Sequence, residues 1–315
     1  MLSALTEKLD SLDLNKVDYL FREYYFDFGL PSSKFVAFLL NQTGKKLRPL
    51  LLLLSARIAG DINENSYKYA TIFEALHTAS LIHDDIIDLA ELRRGENSMN
   101  QQFGNKLAVL TGDFILSRSL SILAQEQNPE ILRVYATASE ELCLGEIQEQ
   151  QIKSSGKITL DKYFEVLRLK TASLFSACCE AGVLSTQGPE NIRQILRAFG
   201  ENLGIAFQIK DDLLDFTGNV GETGKDTGKD IAGNIITYPI LSVVNDLPKH
   251  LQKEFSHYSF SEMKKLITDY SGFKKTEDEI LKYSSICLNI LDRLESTDKV
   301  EVLKKIVKLN IDRKF

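Results

Sequence analysis

Apolar residues recur at intervals of three and four along most of this 315-residue chain. Between residues 72 and 86 the apolar positions are Ile72, Phe73, Leu76, Ala79, Ile82 and Ile86. The same spacing returns between residues 195 and 214. This spacing places apolar side chains on one face of an α-helix, and no run of alternating residues between turn signals predicts a sheet. We therefore expect an all-α protein, a single-domain bundle of long antiparallel helices over residues 1–315.

Charge and hydropathy exclude several classes of protein. The formal net charge is −6, which argues against a nucleic-acid partner. The most apolar run, RPLLLLLSARIAG, lies between Arg48 and Arg57 and is much shorter than the roughly 20 residues that cross a bilayer. We therefore read it as a buried helix and expect no transmembrane segment.

The cysteines and the N-terminus indicate a compartment. The four cysteines show no CxxC pair and no zinc-like spacing, so we expect them to be small buried apolar residues in a reducing environment. The first residues, MLSALTEKLDSLDL, lack a basic region followed by an apolar run, so targeting is unsupported. We expect a soluble, cytoplasmic protein.

Two segments repeat the pattern Asp-Asp-x-x-Asp, which we call the first and the second acidic cluster. The first, in HDDIIDLAELRR, contains Asp84, Asp85 and Asp88. The second, in QIKDDLLDFTG, contains Asp211, Asp212 and Asp215. Like charges within one helical turn destabilise a helix, so the repeated pattern indicates a function.

The spacing within each cluster favours a divalent cation. Residues i and i+4 share a helix face with Cβ atoms about 5–6 Å apart, so Asp84 and Asp88 can hold a metal together. Mg²⁺ takes oxygen ligands and often combines one or two carboxylates with substrate phosphates. The alternative is a solvated acidic face, but apolar residues flank both clusters. The second cluster also ends its predicted helix, where the macrodipole opposes carboxylates unless a cation offsets it.

Basic residues accompany the acidic clusters. They are Lys45, Lys46 and Arg48 in GKKLRP, Arg93 and Arg94 after the first cluster, Lys170, and Lys225 and Lys229 in the glycine-rich stretch 217–234. Carboxylates and Mg²⁺ beside Arg and Lys suit a ligand that carries more than one phosphate. The glycine-rich stretch does not match a P-loop, and we interpret it as a flap over the phosphates. His77 shares a face with Asp84 and is either a core histidine or a phosphate donor, whereas we read His83 as structural.

These motifs resemble the trans-isoprenyl (polyprenyl) diphosphate synthases, and most of all the members that make medium and long chains. The matching stretches are GKKLRP, EALHTASLIHDDIIDLAELRRG, FGNKLAVLTGDFILSRSL, GEIQEQ, KTASLF, GIAFQIKDDLLDFTG and GKDTGKD. The resemblance implies an isoprenoid synthase fold with a deep central cavity, a homodimer, and three Mg²⁺ per active site with substrate bound. It also implies a trans-prenyltransferase that joins isopentenyl diphosphate to an allylic diphosphate.

The resemblance implies a role for each matching residue. It implies that isopentenyl diphosphate is bound by Lys45, Arg48, His77 and Arg94. The allylic diphosphate is expected to be held by Arg93, Lys170, Thr171, Gln208 and Lys225. The principal metal ligands would be Asp84, Asp88 and Asp211, supported directly or through water by Asp85, Asp212 and Asp215. Catalysis would rest on Asp84, Asp85, Asp88, Asp211, Lys170 and Gln208, with no nucleophilic serine or cysteine. The chain departs from the common pattern at Lys46, where arginine is usual, and at Asn234-Ile235, where many members have Gly-Lys.

The residues before Asp84 bear on product length. We expect the growing chain to run toward the N-terminus of this helix, past Ser80, Ala79 and Leu76. Short-chain members often have a bulky aromatic residue where this chain has Ala79 and Ser80. Each turn adds about 5.4 Å, comparable with one isoprene unit, so we expect a product of about 25 carbons or more. Geranylgeranyl diphosphate is the alternative if Phe73 closes the tunnel, and Ala79 can also serve only close helix packing.

Other functions stay open at this point. The chain is also compatible with the catalytic subunit of a heteromeric hexaprenyl or heptaprenyl diphosphate synthase, which needs a small regulatory subunit. A non-catalytic subunit generally loses aspartates, and none is missing here. A class I terpene cyclase is a distant alternative, because its second metal motif differs and this chain has no tryptophan.

Overall fold

Helices make up nearly all of the structure, a computed structural model that describes residues 14–26, 46–93, 95–155, 158–217, 237–248 and 258–313. The all-α prediction is confirmed. The helices are α1 (Leu14–Phe26), α2 (Leu47–Ala59), α3 (Glu64–Ile87), α4 (Met99–Phe103), α5 (Asn105–Leu123), α6 (Pro129–Ser155), α7 (Leu160–Leu167), α8 (Ser173–Ser185), α9 (Glu190–Thr217), α10 (Tyr238–Val244), α11 (Phe260–Asp269), α12 (Gly272–Leu291) and α13 (Asp298–Asp312). A π-helical turn, Arg168–Ala172, joins α7 to α8. Between α3 and α4 lies a small hairpin in which β1 (Leu92–Arg93) pairs antiparallel with β2 (Glu96–Asn97).

Helix α8 lies at the centre of the bundle. Nearly all of its residues are buried, as expected of a helix that is apolar or small on every side. It packs against α2, α3, α6 and α9. Gly182 permits the close approach of α2, because a Cβ there would lie 2.2 Å from the carbonyl oxygen of Leu52. The leucines at 50–54 are fully buried, so RPLLLLLSARIAG forms the buried helix that its sequence predicts.

The two helices that carry the acidic clusters are among the longest. Helix α3 begins at a capping box, in which the side chain of Asn63 accepts from the backbone N–H of Ser66 and the side chain of Ser66 accepts from that of Asn63. It ends at Ile87, with Asp88 as its C-cap. Helix α9 ends at Thr217, two residues after Asp215. The first cluster therefore ends its helix, whereas the predicted end of the second cluster's helix stays a prediction, because the residues that follow Thr217 lie outside those described.

The cysteines only partly follow the prediction. All four are free thiols, and Cys178, Cys179 and Cys287 are buried. Cys143 is exposed because it lies on the side of α6 that borders a large cavity. The prediction that all four are buried is therefore wrong for this residue. In the ranges described, no helix has both the length and the apolar character needed to cross a bilayer.

Candidate active site

A cavity of about 910 Å³ opens between α2, α3, α6, α9 and the π-helical turn. The first aspartate of each acidic cluster, Asp84 and Asp211, lines it. The other predicted site residues that line it are Arg48, His77, Ser80, Arg93, Lys170, Thr171 and Gln208. The fold therefore brings together residues that are far apart in the sequence, on the walls of one cavity.

Two helix C-termini meet at this cavity, and both carry carboxylates. The backbone N–H of Asp88 closes the last turn of α3 on the carbonyl of Asp84 at 2.8 Å. Asp211 and Asp215 lie in the last two turns of α9. Helix C-termini carry partial negative charge, so the dipoles and the carboxylates add to each other. The site therefore favours cations electrostatically.

Asp84 shows the consequence of this crowding. Burial raises the pKa of its carboxyl to about 7, and the nearby carboxylates of Glu146 and Asp88 raise the pKa further, while Lys170 and Arg93 oppose the rise. A carboxyl group in such surroundings holds a proton near neutral pH unless a cation replaces it.

The second aspartate of the first cluster has a different environment. Asp85 is 4% exposed and accepts a forked pair of hydrogen bonds from Arg93, with Nε at 2.7 and 2.8 Å and Nη2 at 2.6 Å. Arg93 is presented by β1, directly after the helix. Such a fork fixes the plane of the guanidinium, so Asp85 orients Arg93 at the cavity wall.

Asp212 has the corresponding place in the second cluster. Its Oδ2 accepts from the phenol of Tyr163 at 2.7 Å and from the backbone N–H of Tyr238 at 2.9 Å. Its Oδ1 accepts from Gln208 at 3.1 Å, and Gln208 accepts in turn from Thr171 at 2.9 Å. Burial raises the pKa of Asp212 to about 7, and these donors lower it. Asp212 thereby fixes two residues that were predicted to hold the allylic diphosphate.

A network of cations and acids forms the α6 side of the cavity. Lys170 lies 2.5 Å from carboxylate oxygens of both Glu146 and Glu149. Lys153 lies 2.9 Å from Glu149 and 3.4 Å from Asp88. Burial alone would lower the pKa of Lys170, but Glu149, Asp84 and Glu146 outweigh it and raise the pKa above its usual value. Lys170 is thus a permanently charged group at the cavity wall.

The π-helical turn is what presents Lys170 and Thr171. Two glycines let neighbouring helices approach this turn closely. A Cβ on Gly145 of α6 would lie 2.7 Å from the backbone nitrogen of Lys170, and one on Gly204 of α9 would lie 2.6 Å from Cα of Ala172. Single π-helical turns are often found at functional sites, because the wider turn reorients the side chains that follow it.

The remaining predicted residues fall into three groups. Arg48 stacks its guanidinium on Phe175, 4.9 Å from the ring centroid, and both Arg48 and His77 line the cavity. Asp215 is on the exposed side of α9. Lys45, Arg94, Lys225 and most of the glycine-rich stretch lie outside the described residues.

The three residues predicted to govern product length have different environments. Ser80 lines the cavity. Leu76 is 2% exposed within the main core. Ala79 has no exposed surface and packs in a cluster with Phe21 and Tyr25 of α1 and with residues of α4 and α5. Leu76 and Ala79 are therefore covered by apolar side chains, whereas Ser80 faces the cavity.

Several side chains at the site were not singled out from the sequence. Glu146 and Glu149 lie in GEIQEQ, a stretch for which the resemblance implies no role of either glutamate. For Lys46, which the sequence marks only as a basic residue and a departure from the family pattern, the structure adds that it lines the cavity and pairs with Asp18 of α1. For Tyr163 and Arg313, which bind Asp212 and Asp211, no local pattern marks the residue.

The donor set has the chemistry that Mg²⁺ prefers. The candidate ligands are carboxylate oxygens only, without histidine nitrogen or thiolate, which favours a hard cation. Across the described ranges, no three acidic, histidine or cysteine side chains already form a closed metal site. The residues fit Mg²⁺ in kind, and a bound diphosphate would complete the coordination.

Comparison with known proteins agrees with this geometry. The family model described as polyprenyl synthetase matches residues 32–268. The chain is 38% identical to decaprenyl-diphosphate synthase of Dictyostelium discoideum over 272 residues, which cover 84% of this chain and 59% of that protein. It is 37% identical to heptaprenyl diphosphate synthase component 2 of Geobacillus stearothermophilus, over 78% of this chain and 75% of that one. Among solved structures, a polyprenyl synthase from Caulobacter crescentus CB15, complexed with calcium and isoprenyl diphosphate, superposes with a TM-score of 0.90 at 27% identity, covering 100% of this chain and 98% of that chain.

Proposed function

Because the chain belongs to the polyprenyl synthetase family, we propose that it is a Mg²⁺-dependent trans-prenyltransferase that joins isopentenyl diphosphate to an allylic diphosphate. The product is an all-trans polyprenyl diphosphate of medium or long chain. The observation that carries the proposal is the arrangement of Asp84 and Asp211 on one cavity with Arg93 and Lys170. Carboxylates for a metal and cations for phosphate oxygens thus lie on the walls of the same space.

The aspartates have two different tasks in this proposal. Asp84, Asp88 and Asp211 hold Mg²⁺, and Asp215 supports them through water. When bound, Mg²⁺ supplies positive charge that stabilises the diphosphate as it leaves. Asp85 and Asp212 act mainly on protein groups, since their carboxylates are engaged by Arg93 and by Tyr163 and Gln208.

The cavity residues then account for the reaction. Lys170, Arg93 and Gln208 bind the allylic diphosphate, and the two cations stabilise the negative charge that develops when its C–O bond breaks. The double bond of isopentenyl diphosphate attacks the allylic cation, a C–C bond forms, and a proton leaves to the departed diphosphate. Apolar lining residues keep out water that would capture the cation: Leu81, Leu142, Ile147 and Phe207.

Isopentenyl diphosphate is proposed to bind at the α2 end of the cavity. Arg48 of α2 and His77 of α3 both line the cavity, and stacking on Phe175 holds the guanidinium of Arg48 in place. Lys45 and Arg94 complete this set in the proposal. Lys225 is assigned to the allylic diphosphate on the resemblance alone. The full complement is three Mg²⁺ per active site.

Product length is proposed to depend on the wall formed by Ser80 and Ala79. Both side chains are small, and the helix continues for four turns toward its N-terminus. Growth beyond the described cavity requires the apolar cluster around Ala79 to yield to the prenyl chain. Both the decaprenyl and the heptaprenyl relatives carry long products in their names, which supports a long chain.

A second protein chain is proposed to cover the outer faces of α5 and α6. Four large apolar side chains that do not line the cavity are exposed there: Val109, Leu110, Leu120 and Leu144. A homodimer is the first choice for the occupant. A small regulatory subunit is the second, because the relative from Geobacillus stearothermophilus is named as one component of an enzyme. Sedimentation of the purified chain distinguishes the two.

The free thiols bear on the compartment. Cysteines persist as thiols in reducing environments, where disulfides are rare, and all four cysteines here are free. We propose a cytoplasmic enzyme whose residues 1–315 form one catalytic domain.

The first experiment is elongation by the purified chain alone. It is incubated with Mg²⁺, farnesyl diphosphate and labelled isopentenyl diphosphate, and the dephosphorylated products are sized. Long products establish a self-sufficient synthase, and Asp84→Asn is expected to abolish them. Product ending at geranylgeraniol would support the shorter alternative. No elongation, with metal binding intact, would contradict self-sufficiency and indicate a missing subunit.

A further inference from the structure

The chain's last described residue reaches the second acidic cluster. Arg313 follows the end of α13, and its Nη2 is paired with Oδ1 of Asp211. The same guanidinium lies over the ring of Phe207, 4.2 Å from the centroid, and Nη2 is 3.4 Å from the carbonyl oxygen of Phe207. An aromatic face, a carbonyl and a carboxylate therefore hold one arginine at the edge of the candidate metal site.

This contact is anchored by the fold. Helix α13 packs against α2, α9 and α12, and Leu303 and Val307 of α13 are buried in the main core. Next to the arginine, Lys210 donates to the backbone carbonyl of Ile311 at 2.8 Å. The side chain of Arg313 is 18% exposed. The position of the guanidinium is thus set by α13 and α9 together.

From these contacts we infer that Arg313 is a positioning residue that holds Asp211 and balances its charge until the metal binds. The inference rests on the proposed role of Asp211 as a metal ligand. Asp211 lies beside two other aspartates near a helix C-terminus, so without a cation its carboxylate is repelled by its surroundings. A carboxylate oxygen bound to a guanidinium must exchange that partner for the metal, and Arg313 then turns away from it.

The contrast with Arg93 shows which arginine can exchange. Arg93 grips both oxygens of the buried Asp85 through two nitrogens, so its removal would leave a buried charge alone. Arg313 pairs with Asp211 through one nitrogen, and the Asp211 side chain is 38% exposed. Water and metal reach that carboxylate directly. The Arg313 pair is therefore the exchangeable one.

The test measures metal affinity without substrate. Mn²⁺ is titrated into the metal-free full-length protein and free Mn²⁺ is followed by electron paramagnetic resonance. Arg313→Gln is expected to bind Mn²⁺ about two- to fivefold more tightly, the range given by removing a partly exposed ion pair. Its melting temperature should fall by about 1–2 °C without metal and by less with saturating Mn²⁺.

Three variants serve as controls. Arg313→Lys restores the charge and should return the Mn²⁺ affinity toward that of the unchanged protein. Lys210→Gln removes a neighbouring positive charge and a contact to the same segment without touching the Asp211 pair, so its Mn²⁺ affinity should stay within about twofold. Arg313→Met keeps the apolar contact with Phe207 and replaces Arg313→Gln if that variant does not fold.

The outcomes separate this inference from the proposed function. If Asp211→Asn weakens Mn²⁺ binding but Arg313→Gln and Arg313→Met leave it unchanged, the inference is overturned and the metal role of Asp211 stands. Equal losses of melting temperature with and without Mn²⁺ would give Arg313 a structural role only, which also overturns it. If Asp211→Asn leaves Mn²⁺ binding intact, the metal role of Asp211 fails, and the inference fails with it.

Discussion

Tyr163 donates its phenol hydrogen to Oδ2 of Asp212 at 2.7 Å. The phenol is on α7 and the carboxylate is on α9, so this contact joins two helices. The backbone N–H of Tyr238 donates to the same oxygen. A carboxylate that accepts this many protein donors has little capacity left for a metal, whereas Asp211, one residue earlier, lines the cavity.

The first prediction concerns the stability contribution of Asp212. Burial raises its pKa in the folded protein to about 7, above the value of about 3.9 in an unfolded chain. The stabilising effect of the neutral form is therefore complete below about pH 4 and is lost as the pH rises toward 7. The melting temperature of Asp212→Asn minus that of the unchanged protein should become more positive from pH 5 to pH 8.

The matched control is Asp269→Asn, at the exposed end of α11. The melting temperature of Asp269→Asn minus that of the unchanged protein should not become more positive from pH 5 to pH 8. Asp212→Asn also weakens a hydrogen bond, which shifts its melting temperature at every pH. The raised pKa of Asp212 is therefore tested only by how the melting-temperature difference between the variant and the unchanged protein varies with pH. A difference for Asp212→Asn that is the same at pH 5 and pH 8 would contradict the raised pKa.

A second prediction concerns metal binding and Asp84. Its pKa of about 7 in the metal-free protein reflects burial first, with Glu146 and Asp88 adding to the rise and Lys170 and Arg93 opposing it. A proton then competes with the metal below pH 7, so Mn²⁺ affinity should increase about tenfold from pH 6 to pH 8.

Two variants assign this pH dependence. Asp84→Asn should abolish it, together with most of the affinity. Asp212→Asn should retain it, although the pKa of Asp212 also lies at about 7. If the pH dependence of Mn²⁺ affinity is lost in Asp212→Asn and persists in Asp84→Asn, the competing proton is on Asp212 and the prediction for Asp84 is wrong.

The helices, and the different position of the second aspartate in each acidic cluster, could be predicted from the sequence because both depend on local spacing along the chain. Helical periodicity is local, and α3 and α9 extend over the two periodic segments. The pattern also indicates that the second aspartate of each cluster lies to the side of the first and third. In the structure Asp85 and Asp212 are the aspartates engaged by protein donors.

Contacts between distant segments could not be predicted in this way. Arg313 meets Asp211 only because α13 packs on α9, and neither helix carries a pattern that marks the pair. The π-helical turn is equally hidden, since RLKTA has no composition that distinguishes it from an α-helix. The turn packs closely against Gly145 of α6 and Gly204 of α9. These contacts join segments that are distant in the sequence, so local spacing does not reveal them.

A third prediction tests that packing through Gly145→Ala. The added Cβ would lie 2.7 Å from the backbone nitrogen of Lys170 and 3.0 Å from Cβ of Leu169, and backbone cannot rotate aside. We expect a loss of about 1–3 kcal/mol in the free energy of unfolding, as for other overpacked sites. The displaced turn should also raise KM for the allylic diphosphate, because Lys170 and Thr171 move with it.

The control for Gly145→Ala is Glu140→Ala on an exposed turn of the same helix, which should change neither quantity. Denaturant unfolding and steady-state kinetics provide the measurements. Should Gly145→Ala lose stability with its KM unchanged, the turn would not set the position of Lys170.

The last prediction concerns product length at Ala79. This residue packs against Phe21, Tyr25, Met99 and Ile115 with no exposed surface, so a phenylalanine there has to push toward the cavity or displace α1. If the prenyl chain grows along α3, Ala79→Phe shortens the product by closing its path. Sizing the dephosphorylated products measures the effect.

Ser80→Phe places the same ring directly on the cavity wall and should shorten the product even if Ala79→Phe is too crowded to fold, whereas Ser80→Ala should leave the length unchanged. Products of unaltered length from a folded, active Ser80→Phe variant would show that the chain grows along another wall, and the path along α3 would have to be abandoned.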